Sequence, residues 1–370
     1  MSMALRWKDY VFGSDDRNPS ADSLLKEVIQ AASGSALLYV LGEGFDPRTT
    51  VSMERFLSHD LAALSSVEFG VLDLDPNEEV ADASVKTAAH LQAQKNRAAL
   101  SELLSPYAVT RIPFPKVRDV NAAGLRFAHG LATTHLPQTG LFVLDISALP
   151  VSIYFPILGT ALESRRAGET AAEILVLVCE NPDLDNAIAT EGIVDAGPIR
   201  GFQNPTADEE GVRVWAPVLG SAEISAIKAI RGKYDPDEIC PVLPFPARDP
   251  RRSDSLLREY REELWDVMQV EPANFIHADE RNPFDLYRRL VRLHDRYQMA
   301  LQKVRSVELI LSAHSSKLLS LGVFLAAYEK KLLVASANSL YYSLNESADI
   351  SLLSKENRVT VLWLDGAPYA

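Results

Sequence analysis

One pattern constrains the fold more than any other. Short, nearly continuous apolar runs alternate along the whole chain with longer segments of helical periodicity. The runs include "ALLYVLG" (36–42), "VEFGVLDLD" (67–75), "GLFVLDIS" (140–147) and "AEILVLVCE" (172–180). Later come "VRVWAPVLG" (212–220), "EICPVLPF" (238–245), "ANFIHAD" (273–279), "VELILSA" (307–313), "LLVASANSLYY" (332–342) and "RVTVLWLDG" (358–366). A strand with one wet face alternates apolar and polar residues, whereas a strand buried on both faces does not. The alternation therefore predicts an α/β fold with mostly parallel sheets flanked by helices. Among the helices expected are 51–64, 82–104, 151–166, 251–268 and the stretch from Pro283 to Val304.

With 370 residues, 47% of them hydrophobic, the chain is long enough for two domains of ordinary size. The segment 191–211 is rich in Gly, Pro, Asn and acid and reads as the linker. It divides the chain into residues 1–190 and 212–370, each expected to be a Rossmann-like unit. Turn residues recur in matching order: Asp46-Pro47-Arg48 with Asp249-Pro250-Arg251, Asp75-Pro76 with Asn282-Pro283, and "DISALP" with "SAHSSK". This correspondence predicts a duplication in which the first half carries an insertion at 105–134. The alternative is one large continuous sheet. An Asp or Asn followed by Pro is also ordinary helix-start chemistry, since the side chain accepts from free amides and proline gives up an amide that is unpaired anyway.

The formal net charge of −13 argues against general DNA binding, which needs a basic face, but leaves room for a small anion in a local basic pocket. The only cysteines, Cys179 and Cys240, lie far apart, so neither a disulfide framework nor a zinc site is expected. The first residues lack the apolar stretch of a signal peptide, and no run approaches the roughly 20 apolar residues of a membrane span. The expectation is a cytoplasmic protein without a membrane partner.

Two turns are candidate ligand sites. At "LGEGFDPR" (41–48), Gly42 and Gly44 would let a ligand approach the backbone, with Arg48 gripping its charge. The spacing matches neither G-x-G-x-x-G nor a P-loop, and Asp46 stands where it would cap the following helix. At "LILSAHSSKLLSLGVF" (309–324), His314, Ser315, Ser316 and Lys317 open an apolar helix with no acid beside them in sequence. Hydroxyls, an ammonium and free helix amides there meet the requirement for holding phosphate or carboxylate. Gly322, one turn in, is expected to allow close packing on the sheet. "ARDPRR" (247–252), with Arg251, is a local basic patch.

A strand, a small-residue turn, a serine, a lysine and an apolar helix together resemble the ligand turn of CARF and SAVED domains. These are Rossmann-like sensors of cyclic or linear oligonucleotides in bacterial antiphage systems, and SAVED domains consist of two CARF-like units. The resemblance covers the architecture and the turn at Ser315–Lys317, with Arg48 and Arg251 as further anion contacts. The threonine-glycine-glycine-threonine-lysine pattern of many CARF proteins is not present. What the resemblance implies is a nucleotide or oligonucleotide ligand, protein partners, and an effector on another chain.

A competing reading is an enzyme. His277 and His314, at the ends of successive strands, would form an acid–base pair, with Asp73 or Asp279 as a metal ligand. Neither H-x-x-x-H, H-E-x-x-H nor G-x-S-x-G spacing supports it, and no motif specifies a cofactor or metal. A scaffold subunit holding partner proteins is the third reading.

Overall fold

The computed structural model describes residues 5–74, 83–113, 121–203, 211–301, 303–344 and 354–369. In chain order the first elements are β1 (Val11–Ser14), α1 (Ala21–Ala31), β2 (Ala36–Glu43), α2 (Val51–Leu57), β3 (Ser66–Asp73) and α3 (Ala83–Leu103). They continue with β4 (Ala108–Ile112), α4 (Asn121–Thr134), β5 (Leu141–Asp145), α5 (Val151–Arg166), β6 (Glu173–Glu180) and α6 (Pro182–Ala187). Then follow β7 (Ile188–Pro198), β8 (Val212–Val218), α7 (Ile224–Tyr234), β9 (Glu238–Ile239), β10 (Val242–Pro244), α8 (Arg252–Glu259) and β11 (Ile276–Ala278). The last are α9 (Pro283–Leu301), β12 (Val307–Ala313), α10 (Lys317–Lys330), β13 (Leu333–Leu344) and β14 (Arg358–Asp365).

The protein is α/β, with two seven-stranded, mostly parallel sheets flanked by helices. The chain up to Ala189, together with the segment from Tyr341 onward, forms one compact unit, and Thr190–Leu340 forms the other.

In the first unit the strand order is β1-β14-β6-β5-β2-β3-β4. β4 through β6 are parallel to one another, and β14 and β1 close the far side antiparallel. One face of this sheet packs Leu37, Tyr39 and Leu41 of β2 and Phe69 and Val71 of β3 against α1, α2 and α3 through Val28, Phe56 and Leu100. The intervening residues Leu38, Val40, Phe142 and Leu144 are also buried. Successive strand side chains point to opposite faces, so both faces are dry. α4 and α5 pack on each other, with the backbone at Gly124 pressed onto Ser152 and Ile153.

In the second unit the order is β11-β10-β8-β12-β13-β7, with β9 pairing β8 to the side. Trp215, Leu243 and Ile310 of the sheet pack against Ile227 and Ile230 of α7 and Leu256 of α8. α9 and α10 pack on each other and against β12. Gly322 makes this pairing close: a Cβ there would lie 2.7 Å from Pro283 O and 2.9 Å from Leu286 Cβ. The close approach is therefore to α9, not to the sheet as expected.

Both sheets contain the same five-strand order. Numbered by appearance, β4-β3-β2-β5-β6 and β11-β10-β8-β12-β13 each read 3-2-1-4-5. The equivalences fix the internal register. β2 begins at 36 and β8 at 212; β3 begins at 66 and β10 at 242; each pair is 176 residues apart.

This register corrects several expectations. Asp46-Pro47-Arg48 follows a first strand, but Asp249-Pro250-Arg251 follows β10, a second strand, so the two turns are not equivalent. "DISALP" and "SAHSSK" both follow fourth strands and do correspond. Asp75-Pro76 lies outside the described residues. Residues 105–134 are not an insertion: they supply β4 and α4, the counterparts of β11 and α9, with 114–120 outside the described residues. The segment expected as linker contributes β7, which pairs with β13. The final strand, assigned by sequence to the second unit, lies between β1 and β6 in the first sheet.

Among the described residues no helix is long and apolar enough to cross a membrane.

β14 completes the first sheet through Val361, Leu362 and Trp363, all buried, and the Trp363 indole donates to Glu173 Oε2 at 2.8 Å. Trp363→Ala should lower the unfolding free energy of the first unit by about 3–5 kcal/mol, the usual cost of truncating a buried aromatic. Trp363→Phe should cost much less. Urea denaturation followed by circular dichroism checks both; equal costs would show that the indole's packing is not what holds β14.

Candidate functional site

In an open α/β sheet, ligands bind beyond the carboxyl ends of the strands, where the order reverses. Here that point lies between β2 and β5 in the first unit, and between β8 and β12 in the second.

The first crevice is filled by the protein itself. A Cβ at Gly42 would come within 2.7 Å of the side chains of Leu149 and Leu74, and one at Gly44 within 3.2 Å of Leu74 O. These glycines admit leucine and backbone. Arg48 has a side chain only 3% exposed. Asp46 Oδ1 accepts from its backbone amide (2.9 Å) and Nε (3.0 Å), and Asp46 Oδ2 from Nη2 (2.8 Å). Asp185 Oδ1 accepts from Nη1 at 2.6 Å. Burial alone would lower the guanidinium's pKa, but the two carboxylates outweigh it and hold it well above its ordinary value. Asp46 is thus not the cap of α2. It turns back on Arg48, and the helix begins four residues past Pro47 with Thr50 at its N-cap, making no side-chain cap bond. The Asn96 carboxamide fixes this loop, donating to Gly44 O and Asp46 O at 2.7 and 2.8 Å.

Beside this clamp lies a second buried network. Asp145 accepts from Tyr39 OH (2.9 Å), from the Ser147 amide (3.0 Å) and from Ser147 Oγ (2.5 Å). Ser147 Oγ in turn accepts from the Cys179 amide at 2.8 Å and lies 3.0 Å from Ser52 Oγ. Burial pushes the Asp145 carboxyl up to about 6, against the pull of its hydrogen bonds. Asp73 lies to one side, where Arg97 Nη2 reaches it at 3.4 Å while Arg97 Nε bonds the buried Glu43.

The second crevice is built differently. The two loops touch: a Cβ at Gly220 would collide with the carbonyl of His314 and lie 3.0 Å from Ser315 Cα. The His314 amide donates to Val218 O at 3.0 Å, and Tyr260 OH donates to Gly220 O at 2.7 Å. Trp215 Nε1 donates to Ser312 Oγ, and Ser312 Oγ lies 2.9 Å from His314 Nε2. His314 Nδ1 lies 3.6 Å from Glu223 Oε2. Ser316 is the N-cap of α10, its Oγ accepting from the Leu319 amide at 3.3 Å. Ser315, Ser316 and Lys317 are half-buried at the start of a 14-residue helix. Glu223 is an acid that the sequence reading did not place beside this turn. It comes from the turn after β8, which adjoins β12 only through the sheet.

The other candidates are dispersed. His277 lies on β11, with β10 and β8 between it and β12, so it does not face His314. It is exposed and meets Phe245 edge-on, centroids 6.0 Å apart. The Asp279 amide donates to Asp285 Oδ2, and Asp279 Oδ1 accepts from the Arg281 amide, both at 2.9 Å. Arg251 is exposed after β10, its amide bonded to Asp249 Oδ1 at 2.9 Å. Among the described residues no group of three or more His, Cys, Asp or Glu is placed to hold a metal.

Fold and site together define an α/β protein of two Rossmann-like units, the first with its crevice filled by an internal Arg48 clamp and the second with a half-buried polar helix start at the equivalent position. No protein-family profile matches the chain, and no curated protein sequence matches it.

The raised pKa of Asp145 has a definite sign. Between its ordinary value near 3.8 and about 6, the folded protein holds a proton that the unfolded chain has released. Stability contributed by this group therefore falls as pH rises through that window, by about 3 kcal/mol. Relative to Asp145→Asn, the wild type should lose about that much between pH 4 and pH 7 in urea denaturation. A pH-independent difference would show that Asp145 does not titrate there.

Proposed function

We propose that the protein binds a phosphorylated, nucleotide-like ligand at the carboxyl edge of the second sheet. The observation that carries this reading is the contrast between the two crevices. The first bonds Arg48 to its own carboxylates behind leucine side chains, whereas the second places Ser315, Ser316 and Lys317, all half-buried, at the start of a 14-residue helix. The positive end of α10 favours an anion there. Ser315 and Lys317 supply hydrogen bonds and charge, Ser316 holds the helix start, and His314, oriented by Ser312 and Glu223, forms the wall. A fold of this type hosts many functions, so the site and not the topology carries the reading. The likeness to CARF and SAVED domains extends it: a sensor or subunit of an antiphage complex, recognising a nucleotide or oligonucleotide, whose effector is a partner protein.

Thermal unfolding with mononucleotides, cyclic and linear oligonucleotides and inorganic phosphate tests this. A true ligand at a hundred times its Kd adds about 2.7 kcal/mol of stability, enough for a rise of several degrees. Lys317→Ala should abolish the rise and Lys317→Arg should retain part of it. Absence of any shift, or a shift that persists unchanged in Lys317→Ala, would remove this site from consideration.

A further inference from the structure

The second unit holds another concave feature, a groove of about 510 Å³ between α9, the start of β11 with the residues before it, and Cys240. Arg289, Arg292 and Arg296 line it, spaced so that they share one face of α9. Phe275, Ile276 and Leu293 provide an apolar wall. The groove belongs to the amino edge of the sheet. Phe275 and Ile276 stand at the start of β11, Cys240 lies just before β10, and α9 runs back from the carboxyl end of β11 to feed β12. It is therefore independent of the crevice at His314–Lys317.

Two of the three arginines are not explained by internal ion pairs. Arg289 Nε is bonded to Asp285 Oδ2 at 2.9 Å. Asp295, the other acid on α9, is taken by Lys330 at 2.8 Å and by His294 at 3.1 Å. Glu238, near the groove wall, accepts from the Asn274 carboxamide. Arg292 and Arg296 are exposed, and neither has a carboxylate partner among the described residues. Two adjacent guanidiniums over an apolar trough, in a protein of net charge −13, form a local field opposite to that of the whole molecule.

Planar guanidiniums bind phosphate through paired N–H donors. The apolar wall requires a ligand with a body as well as a charge, and the volume falls in the range of small-molecule sites. At the back, Cys240 Sγ and Tyr297 OH are 3.7 Å apart, and burial pushes the thiol up to about 11, so it is a neutral group there and not a nucleophile. Trp265, in a π-helical turn (Glu262–Val267), stacks on Phe275 with centroids 5.8 Å apart and is 41% exposed.

We propose that this groove is a second, non-catalytic binding site for a phosphate monoester of mononucleotide size, with Arg292 and Arg296 holding the phosphate and Phe275, Ile276 and Leu293 holding its flat body. The site takes its ligand from the amino edge, independently of the carboxyl-edge crevice.

Isothermal titration of the Lys317→Ala chain with adenosine monophosphate, adenosine and inorganic phosphate tests it, because that background silences the other crevice. Adenosine monophosphate should bind saturably, and adenosine or phosphate alone about tenfold or more weakly. Arg292→Ala/Arg296→Ala should weaken binding by about tenfold or more, and Arg292→Lys/Arg296→Lys should restore part of it. Both arginines are exposed, so unchanged circular dichroism melts separate loss of binding from loss of fold. The other three tryptophans are buried, so ligand should alter the fluorescence of Trp265, and Trp265→Phe should remove that signal. No saturable binding of adenosine monophosphate, affinity unchanged in the double alanine variant, or phosphate binding as tightly as adenosine monophosphate would overturn the proposal. Loss of the carboxyl-edge thermal shift with this binding intact would count against the other site alone.

Discussion

Parallel pairing is the constraint on which the rest depends. Two parallel strands cannot be joined by a tight turn, so the chain must cross a face of the sheet between them, and a helix is the compact way to satisfy its backbone on that path. Every strand of the five-strand core therefore enters from one edge and leaves at the other. Helix starts collect at the carboxyl edge, and helix ends at the amino edge. The order 3-2-1-4-5, present in both units, adds one place where successive crossovers diverge and leave a gap. The protein has two such gaps and has treated them in opposite ways.

In the first unit the gap is closed by charge pairing and packing. A guanidinium removed from water is tolerable only when carboxylates and hydrogen bonds replace its hydration, and Asp46 and Asp185 do that for Arg48. The Asp145 network beside it binds Tyr39 of one strand, Ser147 of the next loop and the backbone of β6 into one unit. Such networks specify a single arrangement because each member left unbonded would carry the full cost of its desolvation. In the second unit the same topological position keeps its polar groups half-buried, and the polar chain Trp215–Ser312–His314–Glu223 runs underneath the helix start. It orients an imidazole that the closed crevice has no counterpart for.

Local chemistry was legible in the sequence, and long-range pairing was not. The runs at 307–313 and 151–166 coincide with β12 and α5, because burial on both faces and helical periodicity are written in adjacent residues. Asn282-Pro283 does start α9, with Asn282 Oδ1 accepting from the Phe284 amide. The same generic chemistry misled the alignment of the halves: an Asp-Pro turn serves any strand-to-helix junction, so its recurrence placed a first-strand turn against a second-strand turn. The destination of β14 depends on the exposed edge of β6, about 180 residues earlier, where Val361 pairs Leu177. Nothing adjacent to Arg358 encodes that choice. His277 and His314 looked like neighbours because their strands follow one another in sequence, but a 3-2-1-4-5 order puts two strands between the third and the fourth. The arginines of α9 were visible at helical spacing in "RRLVRLHDRY"; only the curvature of the edge around Phe275 and Cys240 turns that spacing into a groove.

Helix electrostatics do not account for those arginines. A cation near a helix C-terminus gains roughly 0.3–1 kcal/mol from the macrodipole, but the effect falls off within the last turn. α9 ends at Leu301, so Arg296 is already more than a turn inside, and Arg289 and Arg292 lie deeper still. Solubility does not account for them either, because in an acidic chain added cations reduce the net charge that keeps molecules apart. Long stems could cover apolar surface with the charged heads in water, and lysine would serve that purpose equally well. Arginine at three successive positions of one helical face, two of them without acidic partners and all over a trough lined by Phe275 and Ile276, has the geometry of recognition: rigid planar forks presented side by side to the oxygens of a phosphate.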